Sequence, residues 1–227
     1  MQKTELEIKL KKLKTELKKA ELIAVSKYSE SSEVELAYEC GQLHFGENRV
    51  SDLEQKAAYF KEKNHDYVKW HFIGHLQSNK VRELLKIPNL YAIHSVDSVR
   101  LLEELLKREH DFKGKNLKIF FQVNTSHEDA KSGFESMDEL KKALRILQTR
   151  GDSKLKIEGL MTMGAIRTDD VKKAAVKSFS ELRAIRDLLL TEFKLPHLKL
   201  SMGMSGDYKE ALSEGADYIR IGSLIFK

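Results

Sequence analysis

Leu6, Leu10, Leu13 and Leu17 share one helical face, and the positions around them are mostly charged, with Glu5/Lys9 and Glu7/Lys11 four residues apart. This spacing predicts an amphipathic helix over residues 3–19 that covers one side or end of a larger body. Short β-type runs follow at 22–25, 43–45, 69–73, 90–94, 117–123, 157–161, 198–201 and 218–221, with helical spacing between them. Ser32 with Glu35, and Ser136 with Glu139, read as capping boxes, with Gly41 and Gly151 as the matching stops. Phe179, Leu182, Ile185 and Leu189 form the stripe of a long helix that ends before Pro196.

Eight strand runs alternating with helices, unbroken by a linker, predict a single (β/α)8 barrel: an α/β domain over 1–227, with the helix in 1–19 and the barrel in 20–227. The competing architecture is an open doubly wound sheet, whose G-x-G-x-x-G turn after the first strand is absent. Only a few residues follow the last strand run, so no helix is expected there and the N-terminal helix is the natural cover for that side.

Composition narrows the function classes. The chain has 227 residues, 41% of them hydrophobic, which suits one large domain. The net charge of +5 is spread along the chain without a like-charged block, so a nucleic-acid-binding arm is not expected. One cysteine, Cys40, permits no intrachain disulfide, and no apolar run is long enough to span a bilayer. The expectation is a cytoplasmic protein without membrane attachment.

Catalysis and binding in such barrels sit at the C-terminal ends of the strands, and polar or small residues gather there. Ser26 and Lys27 follow the first run, Gly46 to Arg49 the second, and Gly74, His75, Gln77, Ser78, Asn79 and Lys80 the third. Asn124, Lys131 and Ser132 follow the fifth, and Thr162 the sixth. Ser201-Met202-Gly203-Met204-Ser205-Gly206-Asp207 follows the seventh, and Arg220 and Gly222-Ser223 bracket the end of the eighth. Glycines that let backbone N–H groups approach an anion, with hydroxyls and a guanidinium beside them, point to a phosphate between the last two loops. Barrel closure sets the eighth strand beside the first, so that phosphate would lie next to Lys27. A desolvated lysine there would have a lowered pKa, and its neutral amine condenses with aldehydes. Phosphate, aldehyde and lysine together suggest pyridoxal phosphate, or else a Schiff-base aldolase acting on sugar phosphates. His71 and His75 lie on a strand end and a turn without a third ligand, so no metal site is expected. Cys40 and Trp70 read as packing residues, and Lys80 and Lys131 as further lysines near the active face.

The segments Ala24-Val25-Ser26-Lys27, Phe45-Gly46-Glu47-Asn48, Trp70-His71-Phe72-Ile73-Gly74-His75-Leu76-Gln77-Ser78-Asn79-Lys80, Lys131-Ser132-Gly133-Phe134, Gly159-Leu160-Met161-Thr162, Leu200-Ser201-Met202-Gly203-Met204-Ser205 and Ile219-Arg220-Ile221-Gly222-Ser223-Leu224-Ile225-Phe226 carry a resemblance. Together they resemble the pyridoxal phosphate homeostasis proteins, single-domain barrels similar to the N-terminal domain of bacterial alanine racemase. The resemblance implies that Lys27 holds pyridoxal 5'-phosphate as an internal aldimine and that Asn48 lies near it. It also implies that Ser201, Ser205, Arg220, Gly222 and Ser223 hold the phosphate. Tyr28 and Ser223 stand where threonine is common, and Lys227 where glycine is usual.

The resemblance favours a non-catalytic carrier that buffers or delivers the cofactor, a monomer in transient contact with cofactor-accepting enzymes. A racemase needs a second acid or base on the far face of the cofactor, which alanine racemase takes from an additional domain. A pyridoxal phosphate-dependent racemase-like enzyme is the alternative reading.

Overall fold

The computed structural model describes residues 2–126, 128, 132–164 and 170–227. Among them, eight strands close into one parallel barrel: β1 (Glu21–Val25), β2 (His44–Glu47), β3 (Lys69–Phe72), β4 (Leu90–Val96), β5 (Leu117–Gln122), β6 (Leu155–Met161), β7 (Lys199–Ser201) and β8 (Tyr218–Ile221). The chain order is the spatial order, and β1 pairs with β8 from Glu21↔Tyr218 to Ala24↔Ile221. The helices are α1 (Lys3–Leu17), α2 (Ser31–Glu39), α3 (Val50–Glu62), α4 (Val81–Leu85), α5 (Val99–Arg108), α6 (Met137–Thr149), α7 (Val171–Phe193), α8 (Tyr208–Ser213) and α9 (Ser223–Phe226). All eight strand runs read from the sequence are strands. No helix among the described residues is long and apolar enough to cross a membrane.

The stripe on α1 does what its spacing dictates: Leu6, Leu10, Leu13 and Leu17 are all buried. Each contributes about 1.5–3 kcal/mol of burial, so α1 is part of the fold rather than an appendage. It packs against α2, β1 and α9, and Lys9 Nζ donates to the Lys227 carbonyl at 3.0 Å.

Two local expectations are corrected. The second helix starts at Ser31, and the Glu33 carboxylate accepts from the Glu30 N–H at 3.3 Å, two residues before the Ser32/Glu35 box read from the sequence. Glu35 instead accepts from the Tyr59 hydroxyl at 2.6 Å, a tertiary partner the local pattern does not show. Ser136 does cap α6, accepting from the Asp138 N–H. The second correction is α9: one helical turn follows β8 and buries Ile225.

Alternation along the strands sorts the core into two parts. Leu22, Ala24, Phe45, Trp70, Phe72, Ile93, Leu160, Leu200, Ile219 and Ile221 face outward into the continuous apolar layer beneath the helices. The buried apolar residues facing inward form a much smaller cluster of Ile23, Ala92, Phe120, Met161 and Tyr218. The interior of such barrels is ordinarily filled by layers of branched aliphatic side chains. Here much of it is polar: His44, His71, His94, Ser201 and Arg220 are all buried.

Candidate functional site

Lys27 lies two residues past β1 at the C-terminal mouth of the barrel, half-buried, with its Nζ 5.1 Å from the ring centre of exposed Tyr28. Among the described residues it makes no hydrogen bond or ion pair, so its amine is uncommitted. Closure brings the last loop to it as the topology requires. A Cβ built on Gly222 would stand 3.0 Å from the Val25 carbonyl, which places that turn against the strand end leading to Lys27.

The backbone beneath Lys27 is held by a buried ion pair. Lys56 on α3 donates to the Glu47 carboxylate at 2.5 Å and to the Ser26 carbonyl at 2.7 Å, and the Ser26 hydroxyl donates to the same Glu47 oxygen at 2.6 Å. Burial pushes the Glu47 pKa up, against the pull of Lys56 and Ser26. The other Glu47 oxygen, Oε2, is buried without a partner among the described residues. Asn48 follows, half-buried, and its carbonyl lies where a Cβ on Gly74 would come within 2.0 Å. Only glycine at 74 lets the β3 exit pack this closely on the Asn48 backbone.

The remaining residues read from the sequence divide into two levels. At the loops, Ser205 is half-buried in the turn after β7, where the Asp207 carboxylate accepts from the Met204 N–H at 2.6 Å. Gly203 enters that turn at φ +90°, where a Cβ would also stand 2.5 Å from that of Ala211. Gly222 is half-buried, and Ser223 is exposed at the start of α9.

Below the loops, Ser201 and Arg220 lie inside the barrel. Arg220 donates from Nη1 to Ser201 Oγ at 2.7 Å and from Nη2 to the Thr162 carbonyl at 2.8 Å. No described carboxylate lies within ion-pair distance of this guanidinium, and burial lowers its pKa to about 10 against the more distant pull of Asp207. Asp207 is itself pushed up by burial. A buried, unpaired cation is costly, and the cost is offset when an electron-rich ligand comes to it.

Other residues read from the sequence go elsewhere. His71 faces the interior and bonds two other histidines, whereas His75 is exposed and sits 3.4 Å from Asp97. The two histidines therefore do not converge. Lys80 is half-buried and paired with Glu83 at 2.8 Å, Trp70 is in the outer core, and Cys40 ends α2. Lys131 lies outside the described residues.

Three participants escaped the sequence reading: Lys56, His44 and His94. His44, His71 and His94 occur once per βα unit on three successive strands, and that regularity was the available signal.

Comparison with known proteins sets this geometry in a family. The family described as alanine racemase, N-terminal domain, matches residues 2–227. The pyridoxal phosphate homeostasis protein of Schizosaccharomyces pombe is 37% identical over 206 residues, covering 90% of this chain and 82% of that protein. Its counterpart in Helicobacter pylori J99 is 38% identical over 207 residues, covering 91% and 86%. The structure of PipY from Synechococcus elongatus PCC7942 with PLP bound superimposes with a TM-score of 0.84 at 32% identity, covering 98% of this chain and all of that one. The chain belongs to the alanine racemase N-terminal domain family and, within it, to the pyridoxal phosphate homeostasis proteins.

Proposed function

We propose that this protein binds pyridoxal 5'-phosphate at the C-terminal mouth of its barrel, as a Schiff base on Lys27, and serves cofactor homeostasis by buffering or delivery rather than by turnover. The observation that carries this reading is the uncommitted Lys27 amine past the strand end against which the Gly222 turn packs, with a guanidinium buried beneath the same mouth and without an ion pair among the described residues. The PLP-bound PipY structure and the names of the relatives support it.

The donor set fits the cofactor's chemistry. Pyridoxal phosphate supplies an aldehyde that condenses with amines and a phosphate ester that takes hydrogen bonds. Lys27 Nζ is the amine for the first. The loop hydroxyls of Ser205 and Ser223, with the backbone at Gly222, are the donors for the second. Glu47, Lys56 and the Ser26 hydroxyl keep the backbone under Lys27 from shifting. Arg220 and Ser201 present positive charge and a hydroxyl from below, and Asn48 flanks the mouth. In the delivery role the cofactor passes to accepting enzymes through transient contact.

Purified protein incubated with pyridoxal phosphate should develop a yellow chromophore that borohydride bleaches, with peptide mapping placing the label on Lys27. A colourless protein that cannot be reconstituted, or a label on another lysine, overturns the site. Substantial amino acid racemisation abolished by Lys27→Ala overturns the carrier role and leaves the racemase-like enzyme.

A further inference from the structure

The polar interior of the barrel is one continuous line of hydrogen bonds. Lys69 Nζ lies 3.2 Å from His44 Nε2, and His44 Nδ1 lies 2.8 Å from His71 Nε2. His71 Nδ1 is 2.8 Å from His94 Nε2, and His94 Nδ1 is 2.9 Å from Ser201 Oγ. Arg220 donates to that same oxygen. The line runs from Lys69, the first residue of β3, to Ser201, the last residue of β7, and so from the N-terminal mouth to the level under Lys27.

Burial drives the pKa of all three imidazoles down, that of His44 to about 3, with the positive charges of Lys69 and Lys118 adding to the effect at His44 and that of Arg220 at His94. Each ring is therefore neutral and carries one N–H, so each is a donor at one nitrogen and an acceptor at the other. Two neighbouring nitrogens 2.8 Å apart need one proton between them. The three rings must then share one tautomer, all Nδ1–H or all Nε2–H.

Neither polarity satisfies both ends. With all rings Nδ1–H, Lys69 donates to His44 and His94 donates to Ser201, so Ser201 accepts twice and its own proton has no acceptor in the line. With all rings Nε2–H, Ser201 donates to His94 and is satisfied, but the His44 N–H faces the Lys69 ammonium. Its nearest carboxylate, Glu21, is 3.9 Å away. Each state is short of one hydrogen bond, at opposite ends, so a group added or removed at either end shifts the balance between them.

We infer that Lys69, His44, His71, His94 and Ser201 form a reversible hydrogen-bond relay that links the N-terminal mouth of the barrel to the ligand site through a shared tautomeric state. An acceptor atom placed on Ser201, such as a phosphate ester oxygen, completes the Nδ1–H state. In a full proton passage the Lys69 ammonium gives a proton to His44 Nε2, and each Nδ1–H proton crosses to the next ring. Ser201 takes the proton from His94 and gives its own to that ligand oxygen. One proton has moved, the amine left on Lys69 is reprotonated from water, and every ring is now Nε2–H. A 180° turn of a histidine ring about Cβ–Cγ puts a carbon where each nitrogen was and does not exchange the two nitrogens, so a ring flip cannot reset the line and the return must run back along it. The device holds a state rather than conducting continuously. The ligand end rests on the site proposed above, whereas the coupling among the rings does not.

Nitrogen NMR of 15N-histidine-labelled full-length protein reads the tautomers directly. In the wild type the three buried rings should report one tautomer, or one common population ratio. Lys69→Met should move all three toward Nε2–H, including His94, which Lys69 does not touch. His71→Gln keeps a donor and an acceptor but cannot exchange them, so adding it to Lys69→Met should leave His94 as in His71→Gln alone. Adding pyridoxal phosphate should move the wild-type rings toward Nδ1–H. By reciprocity Lys69→Met should then weaken cofactor binding roughly fivefold, the weight of one ordinary hydrogen bond, and His71→Gln should erase that difference. Unlike tautomers in neighbouring wild-type rings, or a His94 signal indifferent to Lys69→Met, would overturn the relay. The wild-type spectrum decides even where a variant fails to fold. Failure of the protein to take up pyridoxal phosphate, with the tautomers still coupled, overturns the cofactor site and leaves the relay standing.

Discussion

Ser26 and Glu47 meet across the β1–β2 seam, hydroxyl to carboxylate at 2.6 Å, one residue before Lys27. Lys56 closes the triangle by bonding both. With the Glu47 side chain fully buried and Lys56 nearly so, Lys56→Met strands a buried carboxylate and should cost roughly 3–5 kcal/mol in urea unfolding. Replacing both, as Glu47→Leu with Lys56→Met, should recover much of that loss. A single variant as stable as the wild type would show that the pair does not hold the strand end.

Among the described residues, Lys27 makes no hydrogen bond or ion pair, only a contact with the exposed Tyr28 ring. Lys27→Ala should shift unfolding by about 0.5 kcal/mol or less while abolishing borohydride-fixed labelling. Equal losses of stability and labelling would mean that the residue is structural.

The three interior histidines make stability depend on pH. Their folded pKa values lie below the unfolded value near 6.5, so the unfolded chain binds more protons as pH falls. Their contribution is complete above that value and is lost on acidification. From pH 7.5 to 5.5 the loss should be on the order of 4 kcal/mol for the three together. Glu47, whose pKa is raised, works in the opposite direction and offsets part of it. Denaturant titrations at the two pH values test this, and His71→Gln should lower the proton uptake on unfolding by about one. An unchanged pH dependence in that variant would show His71 to be protonated in the folded state.

Gly203 sits at φ +90° with Ala211 pressed against it. Gly203→Ala should destabilise by roughly 1–3 kcal/mol and weaken phosphate ester binding by distorting the turn that carries Ser205. Calorimetry with pyridoxal phosphate measures both, and a variant unchanged in both would mean that the turn adapts freely.

The strand pattern was legible because a hydrophobic period is a local property, and so was the seam that sets β8 beside β1, which closure requires. The start of α2 was misplaced by two residues because Glu35 is taken by Tyr59 from another helix. Ser201 and Arg220 were legible as chemistry but not as neighbours of histidines. Whether an inward side chain meets another depends on the stagger between strands, which no stretch of sequence displays. Lys56 drew no reading from the sequence, because only its tertiary contact with Glu47 explains its burial.

With the site as proposed, the seam between β1 and β8 sets when the protein can act as well as where. Lys27 is made early, whereas the Gly222 turn and Arg220 come near the end of the described chain. A chain emerging from the ribosome carries the amine long before it carries the strand that closes the barrel beside β1. Such wide sequence separation makes closure a late and slow event. Cofactor capture therefore becomes a report of completed folding, and a truncated or misclosed chain would display the lysine without the pocket.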